Sequence, residues 1–338
     1  MGMIYEMLDG PSADLWADLR GEVNDDWGSY AAQVLRYKGE STNIYMGISY
    51  DGSLNLFIPY EGGEEQTDLP FNFKGMTVEL RKLRLDDGKT DPQLYLALST
   101  HDSHERIFTL VTKEIAGLVV EDGFMPFQAV KNTIRRWRNF WSEKKEKELT
   151  HNQIIGLIGE VWFLKEVLIP SLGSKAVFRW SGPQGERHDF QGETSHIEVK
   201  VTEKLYPIFH ISSLEQMLAP KDKQLYVAGL MLRHESAGSI NLPDLIKGSE
   251  LLLENDLDAL EKFHECLAAV GYRLESEQDY AKLKFLVASA ELYRVDENFP
   301  RLDPGSLNIP SGVSHIEYEI DLSNVECLID SDFEEAIS

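Results

Sequence analysis

Cysteine is nearly absent from the 338 residues. Cys266 and Cys327 are the only two, far apart and without metal-ligand spacing. A disulfide framework is excluded, and a reducing compartment is the simplest setting. No apolar run approaches 18 residues, so no membrane span is expected. The stretch MGMIYEMLDGPSADLW has no basic region followed by an apolar run, and Glu6 breaks the myristoylation pattern. Neither a secretory signal nor a lipid anchor is expected, and the cytoplasm is the expected location. There is no internal repeat and no low-complexity tract. Positive charge is scarce, with 33 Lys and Arg against 57 Asp and Glu, a net charge of −24. Such acidity repels polyanions at long range and counts against nucleic-acid binding unless the basic residues are segregated.

They are partly segregated. KNTIRRWRNFWSEKKEK (131–147) carries seven Lys or Arg against two Glu, whereas residues 271–338 hold fifteen acidic and five basic residues. One cationic face is therefore expected. Lys131, Arg135, Arg136 and Arg138 are candidates to track a phosphate backbone, against the plainer reading of a solvated helix face. Phe127, Val130, Ile134, Trp137 and Trp141 form one apolar stripe at helical spacing, so the aromatics here belong to a core.

The first 123 residues read as mostly β. NIYMGISYDGSLNLFIPY (43–60) has two strand-like runs about Asp51-Gly52. MTVELRKLRL (76–85), QLYLALST (93–100) and RIFTLVTKEI (106–115) continue a meander, after a short helix near 12–20. From residue 124 to 338 helices and strands alternate. Helices are expected over 151–169, 213–218 and 242–271. Strands are expected near 175–180, 188–191, 195–202, 206–211, 224–232, 282–295 and 314–322. The fold class is thus α/β (α+β), with a β-rich N-terminal domain (1–123) and a mixed-sheet domain flanked by helices (124–338).

The chemistry concentrates in two segments of the second domain. THNQIIGLIGEVWFLKEVL opens with a capping box, Thr150 and Gln153. Glu160 lies in an otherwise apolar helical stripe, where an ionised carboxylate needs a cation, hydrogen bonds or an open cleft. Gly156 and Gly159 suggest a backbone packed close to something. DFQGETSHIEVKVTEK (189–204) reads as a hairpin whose second strand alternates apolar Ile197, Val199 and Val201 with polar His196, Glu198 and Lys200. Glu198 and Lys200 share a face, about 7 Å apart along the strand. Two readings stay open: a half-exposed strand with a surface ion pair, or a metal site. Hairpin pairing can bring Asp189 beside Glu198. Two close carboxylates repel unless a cation separates them, and Mg²⁺ or Mn²⁺ suits such oxygens. The metal would lower the pKa of a bound water, with Lys200 orienting it or offsetting phosphate charge, and Glu160 completing the shell. His188 and His196 could approach such a metal, against the plainer reading of surface or hydrogen-bonded histidines, and Lys204 is a candidate phosphate contact.

These residues resemble the PD-(D/E)XK nuclease superfamily: a helical Glu160, Asp189 in HDF, then Glu198 and Lys200 in IEVK. GLIGEVWFL, WSGPQGERHDF, IEVKVT, YRVDENFPRL and IEYEIDL together are similar to a group of bacterial PD-(D/E)XK proteins over nearly the whole chain. One departure is His188 in place of proline before Asp189. The resemblance implies a four-stranded mixed sheet, metal binding by Asp189 and Glu198, a catalytic Lys200 and an auxiliary Glu160. It also implies Mg²⁺-dependent cleavage of DNA in restriction or phage defence, with the N-terminal domain serving recognition or docking. Because a duplex cut usually needs two active sites, a homodimer or another subunit of a defence system is expected as partner. The alternative is a non-catalytic scaffold on the same fold.

Overall fold

Alternating and continuous apolar runs in the first third of the chain do build strands. The computed structural model describes residues 16–23, 30–60, 72–73, 76–84, 91–101, 105–137, 148–328 and 336–337. The chain divides into two compact units, residues 1–145 and 146–338.

In the first unit, α1 (Ala17–Arg20) precedes β1 (Tyr30–Tyr37), β2 (Glu40–Ser49), β3 (Leu54–Pro59), β4 (Asn72–Phe73), β5 (Met76–Leu83) and β6 (Gln93–Thr100). They form a six-stranded sheet in the order β1-β2-β3-β6-β5-β4, antiparallel throughout. The β2–β3 hairpin turns through Asp51-Gly52 as expected, with Gly52 at φ 81°. Residues 106–115, expected as a strand, lie instead in helix α2 (Glu105–Val120). Ile107, Phe108, Val111, Ile115 and Ala116 are all buried there, at the three- and four-residue steps of a helix. Helix α3 (Pro126–Trp137) packs on α2, β2 and β3. The two helices are clasped by buried Glu114, which accepts from Trp137 Nε1 at 2.5 Å and Thr133 Oγ1 at 3.4 Å. This packing puts α3 in the first unit, beyond the boundary expected near residue 123. Phe140 and Trp141 lie outside the described residues.

In the second unit, α4 (His151–Phe163) runs through a π-type turn (Leu164–Leu168) into α5 (Ile169–Leu172). A 3-10 segment, Gly173–Arg179, replaces the strand expected near 175–180. Then come β7 (Phe190–Gln191), β8 (Ser195–Thr202), β9 (Ile208–Ile211), a 3-10 turn (Leu214–Met217) and β10 (Gln224–His234). After these follow α6 (Leu242–Leu253), α7 (Leu257–Ala269), α8 (Glu277–Tyr280), β11 (Phe285–Arg294) and β12 (Tyr318–Asp321). Strands β11-β10-β8-β7 form a four-stranded mixed sheet, with β8 and β10 parallel and the other neighbours antiparallel. β9 and β12 make a separate two-stranded ribbon.

Both faces of β8 are covered. On one, α4 approaches so closely that a Cβ at Gly159 would lie 2.2 Å from Val201 Cγ2 and 3.3 Å from Val199 Cγ1. Gly156, by contrast, has nothing within 4 Å of the place a Cβ would take. The register pairs Glu198 with Val227 and Lys200 with Gly229, so these four share the opposite face. That face is roofed by an apolar cluster that includes Phe209, Ile211, Met217, Val227, Tyr293 and Ile320.

Candidate active site

The capping box fixes where α4 starts, and hence where Glu160 falls. Gln153 N donates to Thr150 Oγ1, and Thr150 N donates back to Gln153 Oε1 at 2.9 Å. Nine residues on from His151, Glu160 accepts a 2.7 Å hydrogen bond from Trp180 Nε1. Trp180 is fully buried between Phe190 and Phe263, so the carboxylate is tied to a rigid indole.

The turn after Trp180 folds back onto Asp189. Ser181 N and Gly182 N both donate to the Asp189 carbonyl, at 2.8 and 3.1 Å. The hairpin expected from the sequence forms, with Phe190 opposite Ile197 and Gln191 opposite His196. Asp189 Oδ2 accepts from Val199 N at 2.7 Å. A Cβ on Gly182 would fall 2.7 Å from Asp189 Oδ1 and 3.4 Å from Glu160 Oε2. A residue without a side chain thus lets the backbone turn pass close against two carboxylates from different elements.

Glu198 is 2% exposed, so the expectation of a half-exposed strand is corrected: the roof over β8 buries it. Its Oε1 pairs with Lys200 Nζ at 2.7 Å, while its Oε2 is buried and has no well-formed hydrogen bond among the described residues. The ion pair offered as the plain alternative therefore exists, but inside the protein. Lys200 Nζ also donates to Gln216 Oε1 at 3.0 Å.

The electrostatics tie the four residues together. Burial, and then repulsion from Asp189, pushes the Glu198 carboxyl up to about 8, against the pull of Lys200. Burial and the charges of Asp189 and Glu198 push Glu160 well above the usual carboxylate range, opposed by the Trp180 hydrogen bond and Lys200. Asp189 is raised by burial, opposed by Lys200 and the Val199 amide. Three carboxylates thus crowd one region with one ammonium among them. Among the described residues, no group of three or more His, Cys, Asp or Glu side chains is placed to hold a metal ion as it stands. Lys200 is the cation that Glu198 holds here.

His188 and His196 form a buried pair, Nδ1 to Nδ1 3.1 Å, with His188 Nε2 3.2 Å from the Gln216 carbonyl. Burial, then His196, brings His188 down to about 4, and burial also lowers His196. Lys204 is paired with Glu319 at 2.5 Å. Lys131 is half-buried on α3 in the first unit. Arg135 and Arg136 lie on the same helix with side chains outside the described set, and Arg138 lies outside it altogether.

Sequence reasoning missed Trp180, Gly182, Gln216 and Arg301. Arg301, in FPRL, had no role assigned; its Nη1 donates to the Met217 carbonyl at 3.0 Å. The density of chemistry around WSGPQGERHDF was the signal available for the first two.

A family model described as "Putative PD-(D/E)XK family member, (DUF4420)" matches residues 12–323. No curated protein and no solved structure matches. No helix among the described residues is long and apolar enough to cross a membrane.

Proposed function

The chain belongs to this family of PD-(D/E)XK proteins, and on that footing we propose that it is a metal-dependent nuclease that hydrolyses phosphodiester bonds in DNA. The observation that carries the reading is Glu198: a carboxylate 2% exposed, one oxygen on Lys200 and the other with no well-formed hydrogen bond among the described residues, beside a second carboxylate that repels it. A buried orphan oxygen of that kind is costly unless something binds it.

The donor set fits Mg²⁺ or Mn²⁺. Hard divalent cations take carboxylate oxygens, and Mg²⁺ is commonly held by one or two of them with waters filling the rest. Asp189 and Glu198 would hold the ion, and Glu160 would add negative charge beside it. When bound, the metal supplies an activated water and polarises the phosphoryl oxygen. The chain's own groups do the remainder. Lys200 offsets charge developing on the phosphate and orients the attacking water. Trp180 keeps the Glu160 carboxylate from turning away. Gly182 leaves room where a side chain would intrude. The setting we propose is an endonuclease in restriction or phage defence, with the first unit serving recognition or docking, and a dimer or second subunit providing the second cut.

A second reading, a non-catalytic scaffold in a defence complex, is favoured by one observation: no three-ligand cluster stands preformed among the described residues. Calorimetric titration of the full chain with Mn²⁺ separates the two. The nuclease reading expects a site lost in Asp189→Ala and Glu198→Gln. No heat dependent on those residues would leave the scaffold.

A further inference from the structure

We infer that Gln216 is a positioning residue that holds the Lys200 ammonium in register; this rests on the nuclease reading and names a part of that site not yet assigned. Lys200 Nζ has two acceptors, Glu198 Oε1 at 2.7 Å and Gln216 Oε1 at 3.0 Å. The first is also a proposed metal ligand. A divalent cation and an ammonium draw on the same carboxylate charge, so metal binding weakens the hold of Glu198 on Lys200. Gln216 does not share that conflict. Its carboxamide is neutral, competes poorly with carboxylates for a hard cation, and adds no repulsion beside Asp189 and Glu160.

The carboxamide oxygen is itself aimed. It accepts from Ser212 N at 3.1 Å and Ser212 Oγ at 3.0 Å, besides Lys200. The 3-10 turn that carries it is fixed from three sides. Met217 is fully buried in the apolar cluster over the sheet, Arg301 Nη1 donates to the Met217 carbonyl, and His188 Nε2 lies against the Gln216 carbonyl. Among the described residues, Gln216 has no hydrogen bond to Asp189, Glu198 or Glu160. It acts through Lys200.

The test compares Gln216→Leu, which removes the acceptor at similar volume, with Gln216→Glu, which restores one. Cleavage of plasmid DNA by the full chain with Mg²⁺ is expected to lose about 100-fold in kcat for Gln216→Leu with KM unchanged, the cost of a misplaced catalytic group. Gln216→Glu is expected to recover only about tenfold of that loss, because the acceptor for Lys200 returns while its added charge repels Asp189 and Glu160. In protein labelled with ¹³Cε-lysine, the Lys200 resonance, assigned by Lys200→Arg, is expected to move in Gln216→Leu and return in Gln216→Glu. A kcat for Gln216→Leu within about twofold of wild type, or an unmoved Lys200 resonance, overturns the inference while leaving the nuclease reading intact. A wild-type chain that cleaves nothing overturns that reading, and the inference falls with it.

Discussion

Replacing Glu198 by glutamine in metal-free protein should stabilise the fold, and increasingly so as pH rises. Burial and the charge of Asp189 push the folded carboxyl up to about 8, against an ordinary value of 4.5 and against the pull of Lys200. Between those two values the folded chain binds more protons than the unfolded one, so stability falls as pH rises through that window. Below it both states are protonated and nothing is lost; above it both are ionised and the loss is complete. At about 1.4 kcal/mol per tenfold change in proton affinity, the ionised site costs a few kcal/mol, and at most about 5. His188 works the other way. Its pKa, held down to about 4 by burial, costs stability as pH falls from 6.5 towards 4. The wild-type curve therefore mixes the raised carboxyls of Glu198, Glu160 and Asp189 with the opposed slope of His188 and His196, and the difference from Glu198→Gln reads Glu198 together with its coupling to the other two carboxylates. The assay is urea unfolding in EDTA at pH 5, 7 and 9. The variant is expected to match wild type near pH 5 and to lead by a few kcal/mol at pH 9. Parallel curves would refute the claim that Glu198 carries unfavourable buried charge. With metal at about 100 times its Kd, wild type should regain about 2.7 kcal/mol and the variant nothing.

Three further perturbations probe the same architecture. Gly159→Ala should cost about 1–3 kcal/mol, since its Cβ would collide with Val201, whereas Gly156→Ala should be neutral or gain up to about 1 kcal/mol; thermal melts of the pair decide it. Gly182→Ala should lower the melting temperature modestly and weaken Mn²⁺ binding measured by calorimetry, because its Cβ would lie 2.7 Å from Asp189 Oδ1 and 3.2 Å from Asp189 Cα. Trp180→Phe should cost about 1–3 kcal/mol in urea unfolding at neutral pH, as Glu160 loses the Trp180 Nε1 hydrogen bond and the cavity is not refilled.

Much of the site was legible because it is written in local patterns. The Thr150 and Gln153 capping box set the start of α4 and so the phase of Glu160. The short connection QGETS forced residues 189–191 back along β8, which put Asp189 beside Val199. What failed was non-local. Alternation on β8 looked like a half-exposed strand, but β9 and the Leu214–Met217 turn fold back over its polar face and are joined there by β12 (Tyr318–Asp321), a tertiary contact that the alternation does not show. The β-branched residues of 106–115 suggested a strand, yet burial of Ile107, Val111 and Ile115 on one side made a helix. The boundary moved past α3 because Glu114 binds Trp137, a contact that no spacing rule announces. Gln216 was invisible for the same reason: its role depends on a carboxamide meeting an ammonium sixteen residues upstream.

The most direct measurement is cleavage of supercoiled and linear DNA by the purified full chain with Mg²⁺ or Mn²⁺, beside Asp189→Ala and Lys200→Ala. The account predicts metal-dependent cutting by wild type and its loss, by about 100-fold or more, in both folded variants. Equal cutting by wild type and either variant would contradict it.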